Sequence, residues 1–137
     1  MSFVLDSSVT LAWCFDDERT DATDALLEQV VESGAEAPSL WPLEILNALS
    51  MAERRRRIDS DRRQRLGGFL HDLPVNLDAE TAARAWAATS PLAVRFKLTI
   101  YDAAYLELAQ RLRLPLATLD KELRTAGRAL GIALLGH

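Results

Sequence analysis

One cysteine and two histidines are all that these 137 residues offer of the side chains most used in nucleophilic and zinc chemistry. The lone Cys14 excludes an internal disulfide framework and any cysteine-rich zinc site. Its setting, Leu11-Ala12-Trp13-Cys14-Phe15, is apolar and predicts a buried structural thiol. His71 falls on a helix surface and His137 is the last residue, so no serine or cysteine triad can be assembled. Long apolar runs are missing as well: none reaches the ~20 residues that span a bilayer. The opening Met1-Ser2-Phe3-Val4 carries no basic leader, and Asp6 interrupts the apolar stretch at once. A cytoplasmic protein with no membrane contact is expected. Internal repeats and low-complexity tracts are also lacking, which leaves a single domain over residues 1–137. That length is enough to bury roughly two-thirds of the unfolded surface.

Basic charge is scarce except in one place. Net charge is −4, and residues 1–36 hold nine acids against Arg19 alone. Seven of the sixteen basic residues are then concentrated between Arg54 and Arg65. Electrostatics overall does not describe a nucleic-acid binder, whose domains are usually basic. An acidic site that holds cations can nevertheless attract phosphate, because the ions invert the local charge.

Apolar periodicity gives short strands alternating with helices, the pattern of an α/β fold with a parallel sheet. Strands are expected over 2–5, 36–37, 75–77, 116–119 and 132–135, and helices over 8–15, 21–33, 41–57, 60–71, 79–88, 101–113 and 121–130. Gly34 is expected to stop the second helix, and Pro42 suits the first turn of the third. Gly67-Gly68 should weaken the fourth. Trp13, Trp41 and Trp86 lie in apolar helical settings, where core or interface roles are commoner than base stacking.

Four carboxylates stand out against this pattern. Asp6 ends the run Phe3-Val4-Leu5, and Asp120 ends Leu114-Pro115-Leu116-Ala117-Thr118-Leu119. Asp102 opens a helix, and Glu44 sits in one whose neighbours Leu43, Ile45, Leu46, Ala48 and Leu49 are all apolar. Three of the four have an ordinary reading. Asp6 and Asp120 can each cap the following helix, and Asp102 can sit at the third helical position behind a Thr99 cap. Glu44 has no such excuse, since an unpaired buried carboxylate costs several kcal/mol or stays protonated. If the two Asp-terminated strands are parallel neighbours, Asp6 and Asp120 share the sheet edge where α/β ligand sites form. Hydroxyls of Ser7, Thr99 and Thr118, and Asn47 one turn beyond Glu44, could then hold ligands or water. Hard oxygen ligands without histidine or thiolate favour Mg²⁺ or Mn²⁺ over zinc.

Four blocks in order along essentially the whole chain carry a family resemblance. They are Val4-Leu5-Asp6-Ser7-Ser8, Trp41-Pro42-Leu43-Glu44-Ile45-Leu46-Asn47-Ala48, Leu98-Thr99-Ile100-Tyr101-Asp102-Ala103-Ala104-Tyr105 and Leu116-Ala117-Thr118-Leu119-Asp120. The chain resembles PIN-domain proteins, and among them the VapC-like ribonuclease toxins of toxin–antitoxin pairs. The resemblance implies a three-layer fold with a central, mostly parallel five-stranded sheet flanked by helices. It implies Asp6, Glu44, Asp102 and Asp120 as an acidic Mg²⁺ or Mn²⁺ site, with Ser7, Asn47 and Thr118 as polar accessories. It further implies RNA hydrolysis leaving a 5′-phosphate, inhibition of translation, a small antitoxin partner and a homodimer. The stretch 79–96 matches no motif of the family.

Two readings are open for the arginine run: Arg54, Arg55, Arg62 and Arg63 track an RNA backbone, or they form a solvated face partly neutralised by Glu53, Asp59 and Asp61. Two other classes compete with the nuclease. A receiver-type signalling domain also binds Mg²⁺ at strand ends, but it wants adjacent acids after the first strand, where Asp6 stands alone. A non-cleaving PIN-like binding module would be expected to have lost one of the four acids.

Overall fold

The computed structural model describes residues 2–137. Its centre is a five-stranded sheet of β1 (Val4–Leu5), β2 (Ala35–Pro38), β3 (Val75–Asp78), β4 (Leu116–Ala117) and β5 (Leu134–Leu135). Every pairing is parallel and the strand order is β3-β2-β1-β4-β5. The expected "mostly parallel" sheet is thus wholly parallel, and its order differs from the 2-1-3-4-5 order of receiver-type folds.

Helices cover the sheet in a three-layer α/β arrangement. They are α1 (Ser7–Ala12), α2 (Asp21–Ser33), α3 (Trp41–Arg54), α4 (Ser60–His71), α5 (Thr81–Arg84), α6 (Ser90–Phe96), α7 (Ile100–Leu112) and α8 (Lys121–Ala129). Helix α7 lies against β1, β2 and β4, and every residue from Ala103 to Ala109 is buried. A helix apolar nearly all round belongs inside a fold, and this one forms the floor beneath the central strands. Phe3, Val4, Leu5, Leu116 and Ala117 meet it with no exposed surface. Trp13 and Trp41 join this core with their indole N–H groups satisfied, by Thr23 O at 2.7 Å and by Thr10 Oγ1 at 3.1 Å.

The structure departs from the sequence reading at three points. The helix expected over 79–88 runs on to Phe96 as α5, a π turn over Ala85–Thr89, and α6. Pro91 lacks an N–H and sits in the first turn of α6, so a change of hydrogen-bond register just before it lets the helix continue. Trp86, on that π turn, is 88 % exposed and is no core residue. Gly67-Gly68 lie inside α4, which runs unbroken from Ser60 to His71 and packs against α3. Strands β1 and β5 each begin two residues later than expected, and β4 ends two residues earlier, ahead of the Asp120 cap of α8.

Helices α3 and α4 form an antiparallel hairpin. Residues Trp41 and Ile45 near the start of α3 face Leu70 near the end of α4, and the Glu53–Arg63 ion pair closes the far end.

Candidate active site

Strand order reverses direction between β1 and β4, and crevices at such switch points are where open α/β sheets bind ligands. The register Leu5↔Ala117 places Asp6 beside Thr118, with Asp120 two residues on. Asp6 N–H donates to Ala117 O at 3.0 Å, which fixes the junction. All three of the capping roles read from sequence are present. Asp6 accepts from Ser8 N at 3.4 Å, Asp120 from Leu123 N at 2.9 Å, and the Thr99 hydroxyl accepts from Asp102 N at 3.1 Å. Capping is also what gathers these acids, because α1, α7 and α8 all begin at one edge.

Asp6 is the buried member, 2 % exposed. Its Oδ2 accepts from the Ser8 hydroxyl at 2.6 Å and from the Thr118 hydroxyl at 2.8 Å. Each hydroxyl is itself held from behind by a main-chain donor, Leu119 N to Ser8 Oγ at 2.9 Å and Asp120 N to Thr118 Oγ1 at 3.1 Å. With its single proton committed, neither hydroxyl can turn to the other carboxylate oxygen. Asp6 Oδ1 is buried and has no hydrogen-bond partner. A buried carboxylate oxygen left bare is costly, and a proton or a positive charge would relieve it. Arg124 braces this edge, donating to Thr118 O at 2.8 Å and Leu135 O at 3.0 Å.

Glu44 lies one turn into α3, and the Tyr105 hydroxyl donates to its Oε1 at 2.6 Å. This corrects the expectation of a wholly apolar surround: Leu43 is 71 % exposed, Leu46 is exposed too, and Glu44 is only partly buried. Its partner is a neutral phenol rather than a cation. The nearby Ser7 hydroxyl favours the charged forms of Glu44 and Tyr105. Asn47 is exposed and makes no hydrogen bond, and Thr99 is an exposed cap.

The four acids act on one another. Burial raises the Asp6 carboxyl above its ordinary value; the Ser8 and Thr118 hydrogen bonds oppose this, and the Glu44 charge adds to it. Glu44 is raised by burial, with Tyr105 opposing and Asp102 adding. Asp102 is pushed up to about 6 by burial and by the charges of Asp6 and Asp120. Glu122, one helical position past Lys121, raises it further. Among the described residues none of the four acids is in an ion pair. Nor is any group of three or more His, Cys, Asp or Glu side chains arranged so that it could hold a metal ion as it stands.

Ser8, Tyr105 and Glu122 are site residues that the sequence reading left out. Ser8 had a visible signal, since a hydroxyl two residues after a capping Asp is placed to turn back onto it. Tyr105 had one too: it follows Asp102 by three positions and so shares its helix face.

The arginines lie elsewhere. Arg54 is ten positions beyond Glu44 on one helix, about 15 Å along its axis. Arg62 donates to Cys14 O at 3.3 Å and Arg63 pairs with Glu53, while Arg55 is exposed and unpaired.

The family model of the PIN domain matches residues 3–129, and the chain belongs to the PIN-domain family. It is 31 % identical over 127 residues to ribonuclease VapC3 of Pyrobaculum aerophilum, covering 90 % of this chain and 92 % of that protein. Among solved structures it is similar to PAE2754 of Pyrobaculum aerophilum, with a TM-score of 0.70 and 24 % identity over 98 % of this chain and 92 % of that one. It shares its fold with FitAcB of Neisseria gonorrhoeae (TM-score 0.65, 15 % identity, 98 % and 96 % covered). The same holds for VapBC2 of Rickettsia felis, solved with a DNA fragment from its promoter (TM-score 0.64, 13 % identity, 98 % and 97 % covered). The receiver-type reading falls with this membership and with the sheet order.

Proposed function

We propose that this protein is a metal-dependent endoribonuclease, the toxin of a toxin–antitoxin pair that arrests translation by cutting RNA in the cytoplasm. The observation that carries the reading is Asp6 Oδ1, a buried carboxylate oxygen with no partner at the one point where four uncompensated acids converge. An all-carboxylate donor set suits Mg²⁺ or Mn²⁺, and Asp6, Asp102, Asp120 and Glu44 are the residues that would hold it. A bound divalent ion would supply an acidified water and offset charge on the phosphoryl oxygens during phosphodiester hydrolysis.

The chain's own groups divide the remaining work. Ser8 and Thr118 fix the rotamer of Asp6, so that Oδ1 alone faces the crevice. Tyr105 holds Glu44 by Oε1 and leaves Oε2 free to take a proton or orient a water. The affinity of Glu44 for a proton, raised by burial, suits a general base. Ribonuclease activity in VapC3 of Pyrobaculum aerophilum supports RNA as the substrate class. A protein partner is supported by the apolar groove between α3 and α4, lined by Trp41, Pro42, Leu46 and Leu70 beside the exposed Leu43. Exposed Trp86 and Val94 support a second copy of the chain as a further partner.

One observation favours a second reading, a PIN-like module that binds without cutting: the acids are not already arranged around a metal position. Cleavage of total cellular RNA by purified protein in Mg²⁺ or Mn²⁺, with cut ends mapped, separates the two. Discrete cuts carrying 5′-phosphates are expected, lost with EDTA and reduced at least ~1,000-fold in Asp6→Asn with the fold intact. Full activity in Asp6→Asn would sink the assignment. No cutting by the wild type, with RNA still bound, would establish the binding module instead.

A further inference from the structure

The chain has only two lysines, Lys97 and Lys121, against fourteen arginines, and both lysines line the same cleft. The cleft measures about 300 Å³ and is walled by Phe96, Lys97, Lys121, Glu122, Thr125 and Ala126. That is the lower end of the volumes that take small ligands, about 300–1,000 Å³. Each lysine is anchored beside one of the acid-bearing helix starts. Lys97 is the left-handed C-cap of α6, two residues before the Thr99 cap that precedes Asp102. Lys121 is the first residue of α8, directly after Asp120. Glu122 on the cleft wall acts electrostatically on Asp102, so cleft and acids adjoin.

Both lysines are free of carboxylate partners, as some arginines are, Arg55 among them. Neither side chain makes a hydrogen bond or ion pair, whereas Arg19, Arg57, Arg63, Arg65, Arg84 and Arg111 are all committed to carboxylates. Two unpaired ammonium groups beside an acidic centre are placed for a ligand that carries phosphate on one side and a reacting centre on the other. Resting on the nuclease reading above, the geometry points to the cleft between α6 and α8 as the subsite that holds the nucleotide next to the scissile phosphate, with Lys97 and Lys121 on its backbone phosphate. The arginine hairpin, at the far end of α3 from Glu44, is then not the main track for RNA.

Binding of a fluorescein-labelled single-stranded RNA of mixed sequence, followed by anisotropy in EDTA at several salt concentrations, tests this without any cleavage. Lys97→Ala/Lys121→Ala is expected to bind about tenfold more weakly at low salt and to flatten the slope of log K against log salt by about 1.4, the share of two single-strand phosphates. Lys97→Arg/Lys121→Arg should restore both, and Arg54→Ala/Arg55→Ala should change neither. In Mn²⁺, KM should rise in the lysine-to-alanine protein with kcat nearly kept. Unchanged affinity and slope in that variant would overturn the subsite, as would weakening confined to the arginine variant or no strand binding by the wild type. Lysine-dependent binding by a wild type that never cleaves would keep the subsite and sink the nuclease.

Discussion

Two groups of carboxylates lie on this fold, and only one of them has a cation. Asp78 at the end of β3 and Glu107 in the middle of α7 close on Arg111, whose side chain is 14 % exposed. Arg111 Nη2 donates to Asp78 Oδ2 at 2.5 Å and Nε donates to Glu107 Oε2 at 2.9 Å, with Glu80 as an outer member at 3.5 Å. Burial pushes the Asp78 carboxyl up, but the Arg111 hydrogen bonds and charge outweigh it and hold it below its ordinary value. At the other group the same burial acts with no guanidinium to oppose it, and Asp6, Glu44 and Asp102 all move up. One helix serves both: α7 carries Asp102 in its first turn and Arg111 in its last, about 14 Å apart. The fold can plainly place an arginine against buried acids, and at the switch point it does not. That difference separates acids paired with a built-in cation from acids left without one.

Removing the cation from the satisfied group is the most severe way to break the contrast. Arg111→Met should leave Asp78 and Glu107 buried without a counter-charge, which costs about 3–5 kcal/mol. Thermal denaturation should show a fall of more than ~10 °C. A loss within a degree or two would mean that water reaches these acids and that the two groups are alike after all.

Supplying the cation that the other group lacks should sharpen it. Mn²⁺ at about 100 times its dissociation constant stabilises a folded protein that binds it by about 2.7 kcal/mol. The melting temperature should therefore rise with Mn²⁺ in the wild type, by less in Asp102→Asn, and not at all in Asp6→Asn. Arg111→Met, though less stable, should keep the full Mn²⁺ increment, because its lesion lies at the other end of α7. Equal increments in wild type and Asp6→Asn would place the bound metal away from the switch point.

Much of this contrast could be read from the sequence, and the unread part has definite causes. The strand ends at Asp6 and Asp120 were legible because an apolar run broken by an acid and then a helix has few other readings. Their adjacency followed once β1 and β4 were paired in parallel. Glu44 was noticed for an incomplete reason. A helix with apolar residues on every side was taken as buried on every side, whereas Leu43 and Leu46 point outward. Tyr105 shares a helix face with Asp102, but its pairing with Glu44, like that of Arg111 with Asp78, is set by packing between elements distant in sequence and leaves no local spacing to find. The helix through Pro91 was missed because a π turn is a tertiary accommodation of a residue that ordinarily ends a helix.

The smallest expected effect tests the cost of the missing cation directly. Folding raises the Asp102 carboxyl from 3.8 to about 6, so the folded state binds its proton more tightly than the unfolded chain does. The stabilisation linked to that proton is complete below about pH 4, is lost as pH rises through about 6, and leaves the charge as a fixed penalty at neutrality. The N-terminal dipole of α7 favours the charge by about 0.3–1 kcal/mol, yet the upward shift shows that burial and the charges of Asp6 and Asp120 win. Asp102→Asn keeps the shape and removes the charge. In EDTA near pH 7.5 it should therefore melt on the order of 4 °C above wild type, the size of a ~1 kcal/mol gain. The difference should vanish near pH 4, where wild-type Asp102 is already neutral, and it should reverse in Mn²⁺, where the charge is needed. Asp78→Asn should instead be destabilised at neutral pH with or without Mn²⁺, since its carboxylate is held charged by Arg111 and its removal strands a guanidinium. A destabilised Asp102→Asn at neutral pH without metal would mean that Asp102 already has a partner, and the division between the two groups of acids would be lost.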